Sequence, residues 1–368
     1  MRIGFFADAH IGHHRVLGGP VHDGLNRRCQ LGLETLARAC RVTADQVDLL
    51  CVLGDLLDSD EEHPIVVART IDALDQFPGP REQIFLLRGN HEETSTSPDH
   101  HGLAPFGRAG FQVVESPRCE VLPGAQLWLI PHRPGVAAEW VREALAGIEP
   151  QAAGRCRIVA SHFGLYDDSF PPWLRGSGAL HVDEVAKLMG QYGVDFWLCG
   201  DYHQHRRWGP IIQVGALMPA DFGDQPPYGG LLILDTQTGQ LTQREIPGPR
   251  FVSLHLEEIE RDSTDRLEQL AQQGHQVHVR IGAPPGRIPE VHGVIRLLAE
   301  EGIVVAGEPE PDGTAALESA REVAAQDFSA GSLRASLAEY VELVGPVLGV
   351  RDPAQAGRVV ELCGELLG

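Results

Sequence analysis

The chain has 368 residues, 43% of them hydrophobic and 22% charged, which excludes global disorder and suits two or three domains. Its net charge of −21, from 30 basic and 51 acidic residues, argues against a free-standing DNA binder, which carries a basic face. No apolar run approaches the ~20 residues of a membrane span, the N-terminus lacks a signal-peptide pattern, and seven cysteines without a CxxC pair read as reduced thiols of a cytosolic protein.

In chain order, short apolar runs alternate with helical stretches over the first 245 residues. Ile3–Ala7, Leu49–Leu53, Ile84–Leu87, Leu127–Ile130, Ile158–Ser161, Phe196–Cys199 and Leu231–Leu234 read as buried strands. Between the first two, Leu33, Leu36, Ala37 and Cys40 form one stripe of a helix over Leu31–Arg41. Such alternation implies a layered α/β architecture. Ile246-Pro247-Gly248-Pro249 marks a boundary, followed by a small βαβαβ-like module at 250–308. In it Phe251–Leu256, Gln276–Ile281 and Ile303–Val305 read as strands, with helices at 265–272 and 290–298. The segment 314–368 reads as a helical tail, with Leu333, Leu337, Tyr340, Val341 and Val344 on one stripe and Val359, Val360, Cys363 and Leu366 on another.

Five short motifs follow apolar strands: Asp8-x-His10, Gly54-Asp55-x-x-Asp58, Gly89-Asn90-His91-Glu92, Ser161-His162 and Gly200-Asp201-x-His203. Ligands gather at the carboxyl ends of strands in layered α/β folds, so distant motifs can converge there. Carboxylates, imidazoles and one carboxamide oxygen suit two divalent cations of borderline hardness, such as manganese, iron or zinc. Each motif alone is weak, since Gly-Asp is common in turns and Asn-His can cap a helix. Their shared order and placement carry the reading.

The ordered set resembles the calcineurin-like metallophosphoesterase superfamily over about residues 1–245. The resemblance implies a four-layer sandwich, two β-sheets flanked by helices; the small α/β module after it resembles the capping domain of one nuclease branch of that superfamily, and the helical C-terminal tail follows. It implies that Asp8, His10 and His203 bind a first metal, that Asn90 and His162 bind a second, and that Asp55 bridges them. It further implies in-line attack on phosphorus, His91 protonating the leaving oxygen and the Asp58 carboxylate holding the His91 imidazole. One position departs. The family usually has Gly-His-x-His at the last motif, and here Asp201 stands where the second metal expects imidazole. Either Asp201 coordinates or His205 takes the place. A coordinating Asp201 lowers the net charge of the centre and favours harder ions, manganese or magnesium.

The protein Ser/Thr phosphatases, which Leu87–Glu92 resembles, have an arginine directly after the second Asp of the Gly-Asp motif; here Ser59 follows Asp58. Residues 8–12, 47–58, 214–223 and 229–235 instead look like the SbcD-type nucleases of double-strand-break repair. That resemblance implies a metal-dependent DNA exonuclease, with endonuclease activity also in view, that dimerises and pairs through its helical tail with an SbcC-like, SMC-type ATPase. Residues 251–368 carry 20 Asp/Glu and nine Arg, so the isolated chain is expected to bind DNA weakly and to rely on the partner for cations. The competing readings are a small-molecule or cyclic-nucleotide phosphodiesterase and a scaffold with a weakened second metal site. His13, His14, His22, Arg27, Arg28, His100 and His101 read as loop residues, though Arg27 and Arg28 could touch phosphates. His132 ends a strand near the cleft. Phe163, Tyr166, Phe170 and Trp173 read as core.

Overall fold

The computed structural model describes residues 1–283 except 15–20, 45, 94–100, 136, 148–154, 172–174, 176–177, 225 and several positions between 258 and 274, together with parts of 284–311. The helical tail expected at 314–368 and Trp173 lie outside the described residues, and the helices expected at 265–272 and 290–298 are described only in part. The chain divides into two compact units. One is Met1–Val252 with Thr264–Val279 and Glu301–Gly307; the other is Ser253–Ser263 with Arg280–Glu300 and Glu308–Gly368.

The first unit is built on two six-stranded sheets. In chain order its sheet strands are β1 (Arg2–Phe6), β2 (Leu49–Val52), β3 (Ile84–Leu87), β4 (Gln112–Val114), β5 (Arg118–Leu122), β6 (Ala125–Ile130), β7 (Cys156–His162), β8 (Phe196–Gly200), β9 (Arg206–Trp208), β10 (Ile211–Gln213), β11 (Leu231–Asp235) and β12 (Leu241–Arg244). One sheet runs β12-β11-β1-β2-β3-β4, the other β9-β10-β8-β7-β6-β5. Helices α1 (Arg27–Val42), α2 (Pro64–Leu74), α3 (Ala137–Ala146) and α4 (Val182–Tyr192) pack on them, and a short helix covers Ala104–Arg108.

Strand alternation explains the layering. Along β2 and the residue after it, Leu49, Cys51 and Leu53 enter the core shared with Leu127, Ile158 and Leu198 of the opposite sheet. Leu50 and Val52 face the other way, into a core with Leu36 and Cys40 of α1 and Val66 of α2. On the far side Val159, Trp197 and Cys199 pack with Val141 of α3 and Val185 and Leu188 of α4. Three stacked cores therefore separate four layers. Strands buried on both faces are continuously apolar, which is why the sequence shows runs there and not alternation.

The strands β1, β2 and β3 are parallel neighbours, as are β7 and β8, so their carboxyl ends lie together at one edge of each sheet. Helix α1 begins four residues before the apolar stripe suggests. Asn26 caps it by accepting from the Cys29 N–H at 2.8 Å, so Arg27 and Arg28 open a helix and are not loop residues. Within the first unit, His278 and Val279 pair in parallel with Val304 and Val305; within the second, Gly282 and Ala283 pair with Glu310 and Pro311. Cys29, Cys40, Cys51 and Cys199 are buried free thiols, Cys119 and Cys156 are partly buried, and Cys363 lies outside the described residues. Among the described residues no helix is long and apolar enough to cross a membrane.

Candidate metal centre

All five motifs sit where the topology brings strand ends together, and the backbone there is bent to present side chains inward. Asp8, His10, Asp55 and Asp201 have φ of 51°, 43°, 49° and 98°; among the described residues only Asp23 shares this region without being glycine. Left-handed backbone costs a residue with a Cβ, and such strain concentrates at functional sites. Close approach to His162 and Asp55 demands glycine at two further positions. A Cβ on Gly54, itself at φ +87°, would lie 2.1 Å from His162 Nδ1, and one on Gly89 would lie 2.1 Å from Asp55 Oδ1.

The side chains converge. Ligand atoms of Asp8, His10 and His203 lie within 4.8 Å of one another, as do those of Asp8, Asp55 and His162, and those of His10, Asp55 and His91. His10 Nε2 and His203 Nε2 are 3.0 Å apart. His162 Nε2 is 2.9 Å from Asn90 Oδ1, 3.4 Å from Asp55 Oδ2 and 3.9 Å from Asp201 Oδ1. Asp55 stands between these sets, with Oδ2 also 3.8 Å from His10 Nε2 and Oδ1 accepting the main-chain N–H of His91 at 3.0 Å. The main-chain N–H of Asp201 donates to both oxygens of Asp8, at 3.1 and 3.2 Å.

Two imidazoles are held from behind. His162 Nδ1 donates to the Leu53 carbonyl at 2.6 Å, and His203 Nδ1 lies 2.9 Å from each Asp224 oxygen. Giving Nδ1–H away leaves Nε2 as the lone pair aimed into the site, the arrangement that orients metal-ligating histidines.

The structure corrects the expected pairing of Asp58 with His91. The His91 ring is held by the Asp58 main-chain oxygen, at 2.7 Å from Nδ1. The Asp58 carboxylate points instead to His10 Nδ1 at 3.6 Å and His14 Nδ1 at 3.3 Å. The turn that carries Asp58 presents its carbonyl to the neighbouring loop and its side chain to the first motif. His14, expected in a solvated loop, is thus part of the surroundings of His10. His205 Nδ1 bonds to the Val214 carbonyl at 2.9 Å, and Asp201 is the side chain beside His162, with Oδ1 3.9 Å from Nε2.

Without a cation the charges compensate one another. Burial pushes the Asp8 carboxyl up to about 6. Burial opposes ionisation of Asp55 too, but His162, His10 and His91 hold it well below the usual range. Burial disfavours charge on His162, and Asp55 above all raises it. His203 is raised to about 9 against its burial, chiefly by the Asp224 carboxylate. Burial raises Asp201. A cation entering such a site displaces protons from its imidazoles.

Two residues escaped the sequence reading. Asp224 lies in a loop whose partner is 21 positions away. Glu92, quoted within a motif but given no task, is fully buried and accepts from the N–H groups of Gly89 at 2.7 Å, Leu57 at 3.0 Å and Asp55 at 3.2 Å. It joins the second and third motif loops, and its position directly after His91 was the available signal. His101, expected in a loop, is buried against Glu115 at 2.9 Å. His132 Nδ1 lies 3.3 Å from Glu93 Oε1, and its ring packs edge-on to His162. Phe163 packs on Trp197 in the core, whereas Phe170 stacks on Tyr202 next to Asp201.

The donor set fits divalent cations. Imidazole nitrogens 3.0 Å apart match adjacent corners of a coordination sphere with bonds of about 2.1 Å, and carboxylate oxygens supply the negative charge. The model of the calcineurin-like phosphoesterase family matches residues 1–205, more than half of the chain, and the chain belongs to that family. Among solved structures it is similar to purple acid phosphatase PPD1 from yellow lupin (Lupinus luteus) seeds, with 17% identity, a TM-score of 0.40 and coverage of 60% of this chain. It spans 41% of the lupin protein's length. It is also similar to an archaeal phosphodiesterase, with 12% identity, a TM-score of 0.33, and coverage of 66% of this chain and 99% of the other. No curated protein matches the sequence.

Proposed function

We propose that the chain is a two-metal phosphodiesterase that cuts DNA, acting as the nuclease subunit, a homodimer, beside an SbcC-like, SMC-type ATPase. Asp55 carries the phosphodiesterase reading: its carboxylate faces His162 on one side and His10 on the other, with His91 at the same centre. Asp8, His10 and His203 are assigned to one cation. Asn90, His162 and Asp201 are assigned to the other, with Asp55 between. A pair of divalent cations, most suitably manganese, supplies Lewis-acid polarisation of phosphate and water when bound. Because His91 Nδ1 is engaged by the Asp58 carbonyl, Nε2 is the atom that passes a proton to the leaving oxygen.

The choice of DNA is supported by the SbcD-like sequence of residues 8–12, 47–58, 214–223 and 229–235 and by the small α/β module after it. It is supported also by Ser59, which stands where a phosphatase arginine grips a phosphomonoester and whose hydroxyl instead lies 3.3 Å from Asp60 Oδ1. The test is an end-labelled duplex with manganese, magnesium or zinc. Manganese-dependent cleavage is expected from the wild type, and retained metal with lost turnover from His91→Ala. A wild type that hydrolyses cyclic nucleotides or small diesters with manganese and leaves DNA intact would contradict the nuclease assignment.

A further inference from the structure

Arg28 sits in the first turn of α1, the segment tied to the metal centre by its cap. Asn26, the capping residue, also donates from Nδ2 to the His14 carbonyl at 2.9 Å, and His14 Nε2 lies 3.0 Å from the His10 carbonyl. The helix start is therefore in register with the first motif. The Arg28 side chain is half-buried, and its guanidinium lies over the Phe251 ring, 5.0 Å from the centroid. Among the described residues it has no hydrogen-bond or ion-pair partner; Asp58, Asp221 and Asp224 act on it only from beyond ion-pair distance. Guanidinium offers five donors in a planar fork, and a half-buried charge with none of them used is costly.

The same side chain opens onto a cleft. Its wall includes Arg28, His14 and His10 together with Pro219 and Ala220, but none of Asp55, Asn90, His91 and His162. The cleft thus touches the first-metal side and stops short of the centre where a phosphorus would react. Arginine matches phosphate oxygens in fork geometry, and such charge-assisted bonds are strong.

We propose that Arg28 binds a phosphate of the substrate strand neighbouring the one at the metal centre, so that the site selects a chain of phosphodiesters over a single one. The proposal rests on the phosphodiesterase reading and deepens it. The experiment uses the full chain with manganese, an end-labelled oligodeoxynucleotide, and bis(4-nitrophenyl) phosphate, which carries one phosphate. Arg28→Gln is expected to lower kcat/KM on the oligonucleotide at least about tenfold more than on the small diester, mainly through KM. The slope of log KM against log salt is expected to fall by about one phosphate contact, with partial recovery in Arg28→Lys. Equal losses on both substrates, or none on either, overturn the assignment. A wild type that turns over the small diester while the oligonucleotide neither reacts nor competes removes the nucleic-acid reading as well; the failure is then visible before any variant is made.

Discussion

His203 and Asp224 form a carboxylate–imidazole pair in which Nδ1 lies 2.9 Å from both acid oxygens, while the opposite nitrogen of the ring faces His10 Nε2 at 3.0 Å. The pair fixes both the tautomer and the direction of one metal-facing lone pair. Removing such a partner typically costs 10- to 100-fold in metal affinity. Asp224→Asn is therefore expected to weaken manganese binding by about that factor, measured by calorimetric titration. An unchanged affinity would show that His203 is oriented by something else.

Glu92 supplies the next expectation. Its buried carboxylate is the acceptor for three main-chain N–H groups of two loops. A buried donor left without a partner costs about 1–3 kcal/mol, so Glu92→Ala is expected to destabilise the fold by about 3 kcal/mol or more in urea unfolding. Glu92→Gln, which retains an acceptor oxygen, is expected to lose less. Equal stability of the alanine variant and the wild type would mean that water satisfies those groups.

His278 gives a pH dependence away from the metal centre. Its ring stacks on Phe251, 5.0 Å away and inclined by 25°, and burial first, then Arg28 and Arg27, push its pKa from 6.5 down to about 4. Between those values the unfolded chain takes up a proton that the folded one refuses. Stability is thus full above about pH 6.5 and declines as the pH falls toward 4. His278→Phe is expected to flatten the melting temperature between pH 7 and pH 4 relative to wild type. A parallel profile for the two proteins would contradict this placement of the ring.

Asp201 determines the character of the second group of ligands. Its carboxylate lies 3.9 Å from His162 Nε2, where the family pattern has imidazole. Asp201→His exchanges an oxygen donor for nitrogen and is expected to move the preferred metal from manganese or magnesium toward zinc. The measurement is activity on a phosphodiester across a metal series. An unchanged preference would place Asp201 outside the coordination sphere.

Strand positions were legible because strands buried on both faces must be apolar throughout: the runs at Leu49–Leu53 and Ile84–Leu87 reappear as β2 and β3. The convergence of Asp8, Asp55, Asn90, His162 and Asp201 was legible because each follows such a run. Less visible were contacts set by loop conformation. Whether Asp58 offers His91 its side chain or its carbonyl depends on one turn, and the link from Asp224 to His203 spans a loop without periodicity. The start of α1 was placed late because Arg27 and Arg28 are polar, although Asn26 just before them is a capping residue. His14 and His101 looked like loop histidines, since burial by distant segments leaves no mark on neighbouring residues.

The central claim is that Asp8, His10, Asp55, Asn90, His162, Asp201 and His203 hold two cations. Anomalous scattering from crystals grown with excess manganese tests it most directly. Two peaks about 3.5–4 Å apart, one beside His10 and His203 and the other beside Asn90 and His162, are expected, with Asp55 reaching both. A single peak, or none within reach of Asp55, would contradict the account.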